Sequence, residues 1–188
     1  MKIVTIPHES LRAEAELVTA VDKKILNFIQ ELEKTLKNKQ NPQGVGLAAP
    51  QVDKNWAIFT TLLENDQGAL IQRVFINPQL SDASDDLILG PNDDETQLEG
   101  CLSMPGLYGP VFRHEWAKFR FHAIEGTELV EKEEVFTDFA ARVMQHEIDH
   151  LHGILFTDRA LEDNLPVYKE SKITKKLEEV DPELLSFF

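Results

Sequence analysis

The spacing of apolar residues predicts an amphipathic helix in the first quarter of the chain. It runs from Asp22 to about Lys39, where Asp22 can cap the first turn and the sequence NPQG at 41–44 ends the helix. The apolar positions that recur every three or four residues are Ile25, Ile29, Leu32 and Leu36. Because this spacing places all four on one side of a helix, we expect that side to face the core.

Strand patterns follow in the middle of the chain. The segments that show them are 56–63, 73–80, 117–123 and 128–136. Segment 56–63 is apolar at consecutive positions, which is typical of a strand buried on both faces, whereas 117–123 alternates apolar with basic residues and predicts a half-buried strand. The acidic stretch 81–98 is expected to be a solvated excursion with a short strand at Leu87–Leu89.

A second helix is predicted from about Asp138 to Leu151, with Thr137 or Asp138 as its cap and Gly153 just past its end. The apolar residues expected on its inward side are Phe139, Val143, Ile148 and Leu151. A helix, several strands and a second helix follow one another without regular βα alternation. This order predicts an α+β fold in which mixed or antiparallel strands pack around the C-terminal helix, with a further helix near the N-terminus.

The last part of the chain is rich in charge, and Pro166 and Pro182 bracket a predicted final helix there. The lysines with close to helical spacing in it are Lys169, Lys172, Lys175 and Lys176. Such a basic face could dock on ribosomal RNA, or it could simply be a solvated surface.

Composition and charge narrow the classes of function. The chain has 188 residues, 42% of them hydrophobic, which is enough for one domain with a core. Its formal net charge of −14 disfavours binding of DNA or RNA through the whole surface. The single cysteine, Cys101, excludes an intramolecular disulfide and fits a reducing compartment. Because no targeting segment and no membrane-spanning run is evident, we expect a cytoplasmic protein with no membrane or DNA partner.

The segment MQHEIDHLHG at 144–153 carries the clearest chemical signal. His146 and His150 are four positions apart, so both imidazoles project from one side of a helix and can bind one divalent cation. Glu147 is placed as in HExxH helices, where the glutamate acts as a general base, and His152 is expected to face elsewhere. A catalytic site usually needs a third protein ligand.

The third ligand is not fixed by the spacing alone. The acidic residues that follow the histidines, such as Glu162 and Asp163, lie in polar, surface-like sequence. Cys101 is a better candidate because it lies in a glycine-containing turn and a thiolate is a strong ligand for Zn²⁺ or Fe²⁺, although a lone cysteine is more often a small buried apolar residue.

Three segments together resemble the ordered signature motifs of the peptide deformylases. They are GVGLAAPQ (44–51), EGCLS (99–103) and QHEIDHLHGILF (145–156). The resemblance covers most of residues 1–160, which are then a catalytic domain, and leaves 161–188 as a partly helical C-terminal extension. It implies a metal-dependent hydrolase that removes the N-formyl group from the N-terminal formylmethionine of newly synthesised proteins.

The same resemblance implies three groups of site residues. The metal ligands are Cys101, His146 and His150. The catalytic groups are Glu147 as acid/base, the Gln51 side-chain amide and the Leu102 backbone N–H. Gly46 and Gly100 pair with the substrate as an added strand, and the residues that line the methionine pocket are Val45, Phe139 and Val143.

The resemblance also implies one divalent metal ion, Fe²⁺ in most members, with Zn²⁺, Ni²⁺ or Co²⁺ as alternatives, and N-formylmethionyl nascent peptides as partners. Tyr108 stands where many relatives carry a basic residue, so contacts beyond the first substrate residue are not implied. Two other classes stay open: an HExxH peptidase that cuts internal bonds, with its third ligand downstream, and a metal-stabilised binding module without activity. Intact Glu147 and Gln51 argue against the module, because a structural metal site needs neither.

Overall fold

The computed structural model describes residues 1–65, 67–92, 95–171 and 173–185. Three parts of the sequence predictions lie outside these residues: positions 93–94 of the acidic stretch, Lys172 of the basic face, and positions 186–188 of the C-terminal extension.

The described residues form four α-helices and eleven strands. The helices are α1 (Lys23–Lys37), α2 (Asp138–Leu151), α3 (Phe156–Glu162) and α4 (Pro182–Leu185). The strands of the first half are β1 (Gly46–Ala48), β2 (Ile58–Glu64), β3 (Leu70–Ala83), β4 (Leu87–Ile88) and β5 (Leu98–Cys101). The remaining strands are β6 (Met104–Pro110), β7 (Arg113–His114), β8 (Trp116–Glu125), β9 (Glu128–Thr137), β10 (Tyr168–Glu170) and β11 (Leu177–Glu179).

These strands build three sheets in which every ladder within the described residues is antiparallel. The largest has the order β1-β2-β3-β8-β9, a second has the order β11-β10-β6-β5, and β4 pairs with β7. The α+β class predicted from the sequence is therefore confirmed. Strand β1 is an edge of the first sheet and β5 is an edge of the second, so each presents one side that is not paired with another strand.

Helix α1 packs on the large sheet as its apolar spacing predicts. The Asp22 carboxylate caps it by accepting a hydrogen bond from the Ile25 N–H at 2.8 Å. All four predicted apolar positions are buried, and Leu32 and Leu36 are fully so. They lie in one cluster with residues of the sheet, among them Leu47 and Ile58.

Helix α2 has one side that packs on the large sheet and another that carries the two histidines of the motif. The sequence prediction assigned apolar residues of both sides to a single inward side. The side that packs on the phenylalanine-rich face of the large sheet carries Ala141, Met144, Ile148 and Leu151. Phe139 is not among them and is 44% exposed, so its predicted inward position is wrong. At about 100° per residue, Phe139 lies nearly opposite Ile148 and on the side of His146 and His150.

The predicted final helix between Pro166 and Pro182 is also wrong. The described residues there form the hairpin of β10 and β11, and β10 adds to β6, with Tyr168 opposite Tyr108. Pairing with a strand that is distant in sequence has overridden a local pattern of charged residues. The described lysines of the predicted basic face, Lys169, Lys175 and Lys176, are therefore exposed on a hairpin and not on a helix.

No helix among the residues described here is both long and apolar enough to cross a membrane. The boundary at residue 160 between catalytic domain and extension stays a prediction, and β10 nevertheless belongs to the same sheet as β5 and β6.

Candidate metal centre and active site

Three side chains that can bind a metal ion converge beside the edge of β5. The ligand atoms of Cys101, His146 and His150 all lie within 4.8 Å of one another, and the Cys101 Sγ is 3.2 Å from His150 Nε2. Both histidines are on α2, four positions apart, whereas Cys101 ends β5. Within the described residues this is the one cluster of three or more such side chains. A thiolate with two imidazoles is a donor set that suits a divalent transition metal and leaves a coordination position open.

Each histidine ring has a second nitrogen, and the two differ in what surrounds it. His146 Nδ1 lies 2.9 Å from an oxygen of Glu99, which fixes the ring and directs the other nitrogen toward Cys101. His150 Nδ1 is buried and has no hydrogen-bond partner among the described residues. The third histidine, His152, lies beyond the end of α2, where it is exposed and pairs with Glu14 at 3.7 Å, so it faces away from the cluster as predicted.

Glu147 lies next to the cluster and is almost completely buried, with 3% of its surface exposed. Its Oε2 has no hydrogen-bond partner in the part of the chain that the structure describes. Burial raises the pKa of Glu147 to about 7, because a carboxylate in an apolar setting loses hydration. A carboxyl group with such a pKa can both accept and return a proton near neutral pH.

Gly46 makes room for this carboxylate. A Cβ atom at residue 46 would lie 2.2 Å from Glu147 Oε1, so any other residue would displace the carboxyl group or the strand. Gly100 is a similar case on the other side of the site, because a Cβ there would lie 2.9 Å from the Tyr108 ring. Both glycines therefore answer a packing requirement, and both lie on sheet edges.

The Gln51 side chain is held in one orientation. Its Oε1 accepts a hydrogen bond from the Ala48 N–H at 2.8 Å. Its Nε2 therefore points the other way, toward the Ser103 hydroxyl at 3.3 Å and the Cys101 Sγ at 3.4 Å. The short turn between β5 and β6 contains Leu102, which is half-buried beside Cys101. The Gln51 amide donor thus faces Cys101.

One cavity of about 490 Å³ joins all of the residues named as site residues from the sequence except His150. The predicted substrate residues that line it are Val45, Gly46, Gly100, Phe139 and Val143. His150 lies behind this wall and is 1% exposed. The size is that of a pocket for a small ligand or a few peptide residues.

Behind the cluster lies a buried ionic network that sequence reasoning missed. Arg113 donates to both oxygens of Glu99 at 2.9 Å and also binds Asp149, and Arg142 donates to Glu99 at 3.0 Å. Burial alone would raise the pKa of Glu99, but the charge and hydrogen bonds of Arg113, with the His146 contact, hold that pKa well below its usual range.

Two members of this network lie inside the motifs quoted from the sequence, since Glu99 opens EGCLS and Asp149 lies between His146 and His150. Their position was the one signal available. Arg113 and Arg142 lie in separate segments, and no spacing connects them in the sequence.

Comparison with known proteins shows a family that the chain resembles over most of its length. The family model described as polypeptide deformylase matches residues 1–164. Peptide deformylase 1 of Bacillus cereus is 36% identical over 159 residues, which are 85% of this chain and 91% of that protein. The peptide deformylase of Rhodopirellula baltica is 35% identical over 165 residues, 88% of this chain and 75% of the other.

Solved structures show the same likeness. A probable peptide deformylase from Synechococcus phage S-SSM7 superposes with a TM-score of 0.72 at 32% identity, covering 85% of this chain and 99% of that one. A peptide deformylase from Synechococcus elongatus in complex with actinonin superposes with a TM-score of 0.71 at 32% identity, covering 85% of this chain and 78% of that one. The similarity therefore extends over most of the chain in both sequence and fold.

Proposed function

This chain belongs to the polypeptide deformylase family, and from that premise we propose how its residues divide the work of deformylation. The protein is a metal-dependent hydrolase that removes the N-formyl group from nascent peptides. The observation that carries the residue assignments is the convergence of Cys101, His146 and His150 beside the buried Glu147.

Helix α2 is the HExxH helix of this proposal, and Cys101, His146 and His150 hold a single metal ion. A bound divalent ion lowers the pKa of a water ligand toward neutrality and polarises a carbonyl oxygen. The ion is proposed to be Fe²⁺, with Zn²⁺, Ni²⁺ or Co²⁺ as alternatives, and Glu99 orients the His146 ring behind it.

Glu147 moves the proton. It takes a proton from the attacking water as the water oxygen bonds to the formyl carbon, and returns it to the amine nitrogen as the carbon–nitrogen bond breaks. The products are formate and a peptide with a free amino group. The leaving nitrogen needs this proton because an amide anion is too basic to depart.

Gln51 and Leu102 stabilise the negative charge that develops on the former carbonyl oxygen. The fixed Gln51 amide directs its N–H groups toward the cluster, and the Leu102 backbone N–H is assigned the same role from its place in the turn after Cys101. Donors that are held in position before the reaction need no reorganisation when charge appears.

The substrate is proposed to lie as an extended strand between the free edges of β1 and β5, beside Gly46 and Gly100. Pairing through backbone groups gives affinity with little demand on the peptide sequence. The methionine side chain then occupies the part of the cavity lined by Val45, Phe139 and Val143.

One assay separates this proposal from its rivals. The purified protein is incubated separately with formyl-Met-Ala-Ser, with Met-Ala-Ser and with a longer unformylated peptide that reports cleavage of internal peptide bonds. The metal content of the same protein sample is measured. We expect formate from the first peptide alone and about one metal ion per chain. Cleavage of the unformylated peptides would favour an internal-bond peptidase, and a metal-containing protein that releases no formate would favour a binding module.

The identity of the metal has its own test. An iron-loaded sample is expected to lose activity faster in air than under argon, because Fe²⁺ bound to a thiolate is readily oxidised. A sample loaded with Zn²⁺ is the control. Equal decay of the iron-loaded sample in both atmospheres would contradict Fe²⁺ as the working ion.

Ribosome contact through the C-terminal lysines stays a proposal, now with hairpin residues rather than a helix face. The test is cosedimentation with ribosomes at low salt, comparing the protein with the Lys169→Gln and Lys176→Gln double variant. Salt-sensitive binding that the variant loses would support contact, and no binding at low salt would exclude it.

A further inference from the structure

We propose that Lys39 and Lys175 give this enzyme a preference for an acidic side chain in the part of the peptide that follows formylmethionine. The inference rests on the proposed function. It begins from the observation that both lysines line the same cavity as Cys101 and His146, although they come from distant parts of the chain.

Lys175 is positioned by the C-terminal hairpin. Strand β10 is anchored on β6, where Tyr168 lies opposite Tyr108, and Tyr108 in turn lies opposite Gly100 on β5. The turn after β10 is closed by two backbone hydrogen bonds of 2.9 Å, from the Ser171 N–H to Lys176 and from the Lys175 N–H to Ser171. The hairpin therefore extends the wall of the cavity, and Lys175 is part of the lining.

Lys39 approaches from the other sheet. It follows α1 in the loop that leads to β1, and its carbonyl accepts a hydrogen bond from the Gly44 N–H at 3.1 Å. Gly44 also lines the cavity, so the backbone that holds Lys39 is part of the same wall. The two lysines thus lie on the two structural units whose free strand edges flank the proposed peptide.

Both ammonium groups are available to a ligand. Lys39 is half-buried and has no ion pair among residues 1–65, 67–92, 95–171 and 173–185. Lys175 Nζ is 3.4 Å from Glu170 Oε2, but its side chain is 69% exposed, so this contact is weak and can be exchanged for another carboxylate.

The lining of the cavity is less acidic than the molecule as a whole. The chain has 33 acidic residues against 19 lysines and arginines, whereas the lining has three basic side chains, Lys39, Arg142 and Lys175, and three acidic ones, Glu99, Glu147 and Glu170. Arg142 is bound to the buried Glu99, and Glu147 lies beside Cys101 and His146, so the charged side chains in the rest of the lining are the two lysines and Glu170. A local excess of positive charge in an acidic protein favours a carboxylate at that place.

The geometry of an extended peptide places the carboxylate after the methionine. In the proposed complex, the formyl group lies at Cys101, His146 and His150, and the methionine side chain occupies the apolar part of the cavity. The rest of the peptide then lies against the other lining residues, which include both lysines. Successive residues of a strand advance about 3.3 Å and point to opposite sides. The preference is therefore expected to depend on the position of the acidic residue.

The test uses the full-length metal-loaded enzyme and amidated formyl-Met peptides with Glu, Gln or Lys at the second or third position. The measured quantity is the ratio of kcat/KM for the Glu peptide to that for the matched Gln peptide. We expect a ratio above one at one of the two positions. In the Lys39→Gln and Lys175→Gln double variant this ratio should fall about two- to fivefold, the range for exposed ion pairs.

Lys176→Gln is the matched control, because Lys176 is the exposed neighbour of Lys175 and does not line the cavity. Its ratio should equal that of the unmodified enzyme. A second measurement needs no variant: the ratio should decline toward one as ionic strength rises to ~0.5 M, since screening weakens exposed charge pairs.

Two results would overturn the inference while leaving deformylation intact. They are equal kcat/KM values for the Glu and Gln peptides at both positions, and a preference for Glu that the double variant retains. Failure to release formate from any of the peptides would instead contradict the proposed function itself.

Discussion

Two groups of polar side chains flank His146, and they are organised in opposite ways. On the cavity side, Glu147 Oε2 is buried without a hydrogen-bond partner among the described residues. On the other side, all four carboxylate oxygens of Glu99 and Asp149 accept hydrogen bonds from arginines or His146. The comparison teaches that the protein leaves hydrogen-bonding capacity open where chemistry takes place and satisfies it completely where the chemistry is supported.

The largest expected effect comes from the open side. Glu147→Gln keeps the shape of the side chain beside Gly46 but removes the proton acceptor, so formate release should fall by about 10²–10⁴-fold. Metal content and thermal unfolding should change little and serve as controls. A variant that binds metal and turns over at a near-normal rate would show that the proton moves through another group.

Substitution in the buried ionic network of Glu99, Asp149 and Arg113 should lower the stability of the protein. Arg113→Met leaves the carboxylates of Glu99 and Asp149 buried with fewer partners, and should lower the free energy of unfolding by about 3–5 kcal/mol in urea titration. Arg120→Met is the matched control, because Arg120 forms exposed pairs with Glu131 and Glu133 and its loss should cost at most about 1 kcal/mol. Similar losses in both variants would mean that the buried network is no better organised than a surface pair.

A third substitution tests whether the two sides communicate through His146. Glu99→Gln weakens the group that orients the His146 ring and should lower metal affinity about 10–100-fold, measured by competition with a chelator. Glu178→Gln, on the exposed strand β11, is the control. Unchanged affinity in a folded Glu99→Gln protein would separate the ionic network from the metal centre.

The smallest effect is expected at the edge of the cavity. Phe139→Ala should lower kcat/KM for formyl-Met peptides by no more than about tenfold, because part of the ring already faces solvent and little apolar area is lost. Its unfolding free energy should stay within about 0.5 kcal/mol of the unmodified protein. A large loss of stability would instead indicate that the Phe139 side chain packs in the core, as the sequence pattern predicted.

Elements with one buried side and one solvated side could be predicted from the sequence. Helix α1 has a buried side and a solvated side, and β8 alternates between the two, so periodicity alone located both. Helix α2 was located correctly, but its cavity side carries Phe139 and Val143, which look like core residues in the sequence. A pocket that binds an apolar side chain is itself lined by apolar residues, so the sequence pattern cannot distinguish pocket residues from core residues.

The candidate site was predictable to a different degree in each part. Spacing alone pairs His146 with His150, but the assignment of Cys101 as the third ligand depended mainly on resemblance to known motifs, because the 44 residues between Cys101 and His146 carry no local signal. The hairpin of β10 and β11 was missed since its lysines imitate helical spacing while its pairing partner, β6, lies about 60 residues earlier. Long-range pairing is set by tertiary contacts that no local window contains.

The free edges of β1 and β5 have a consequence for the behaviour of the protein in concentrated solution. An unpaired strand edge attracts any extended chain, including another copy of the same protein, and long flat edges are common starting points for aggregation. These two edges are three and four residues long. Edges this short offer another folded copy few backbone partners, so the length that suits a brief encounter with a peptide also limits self-association.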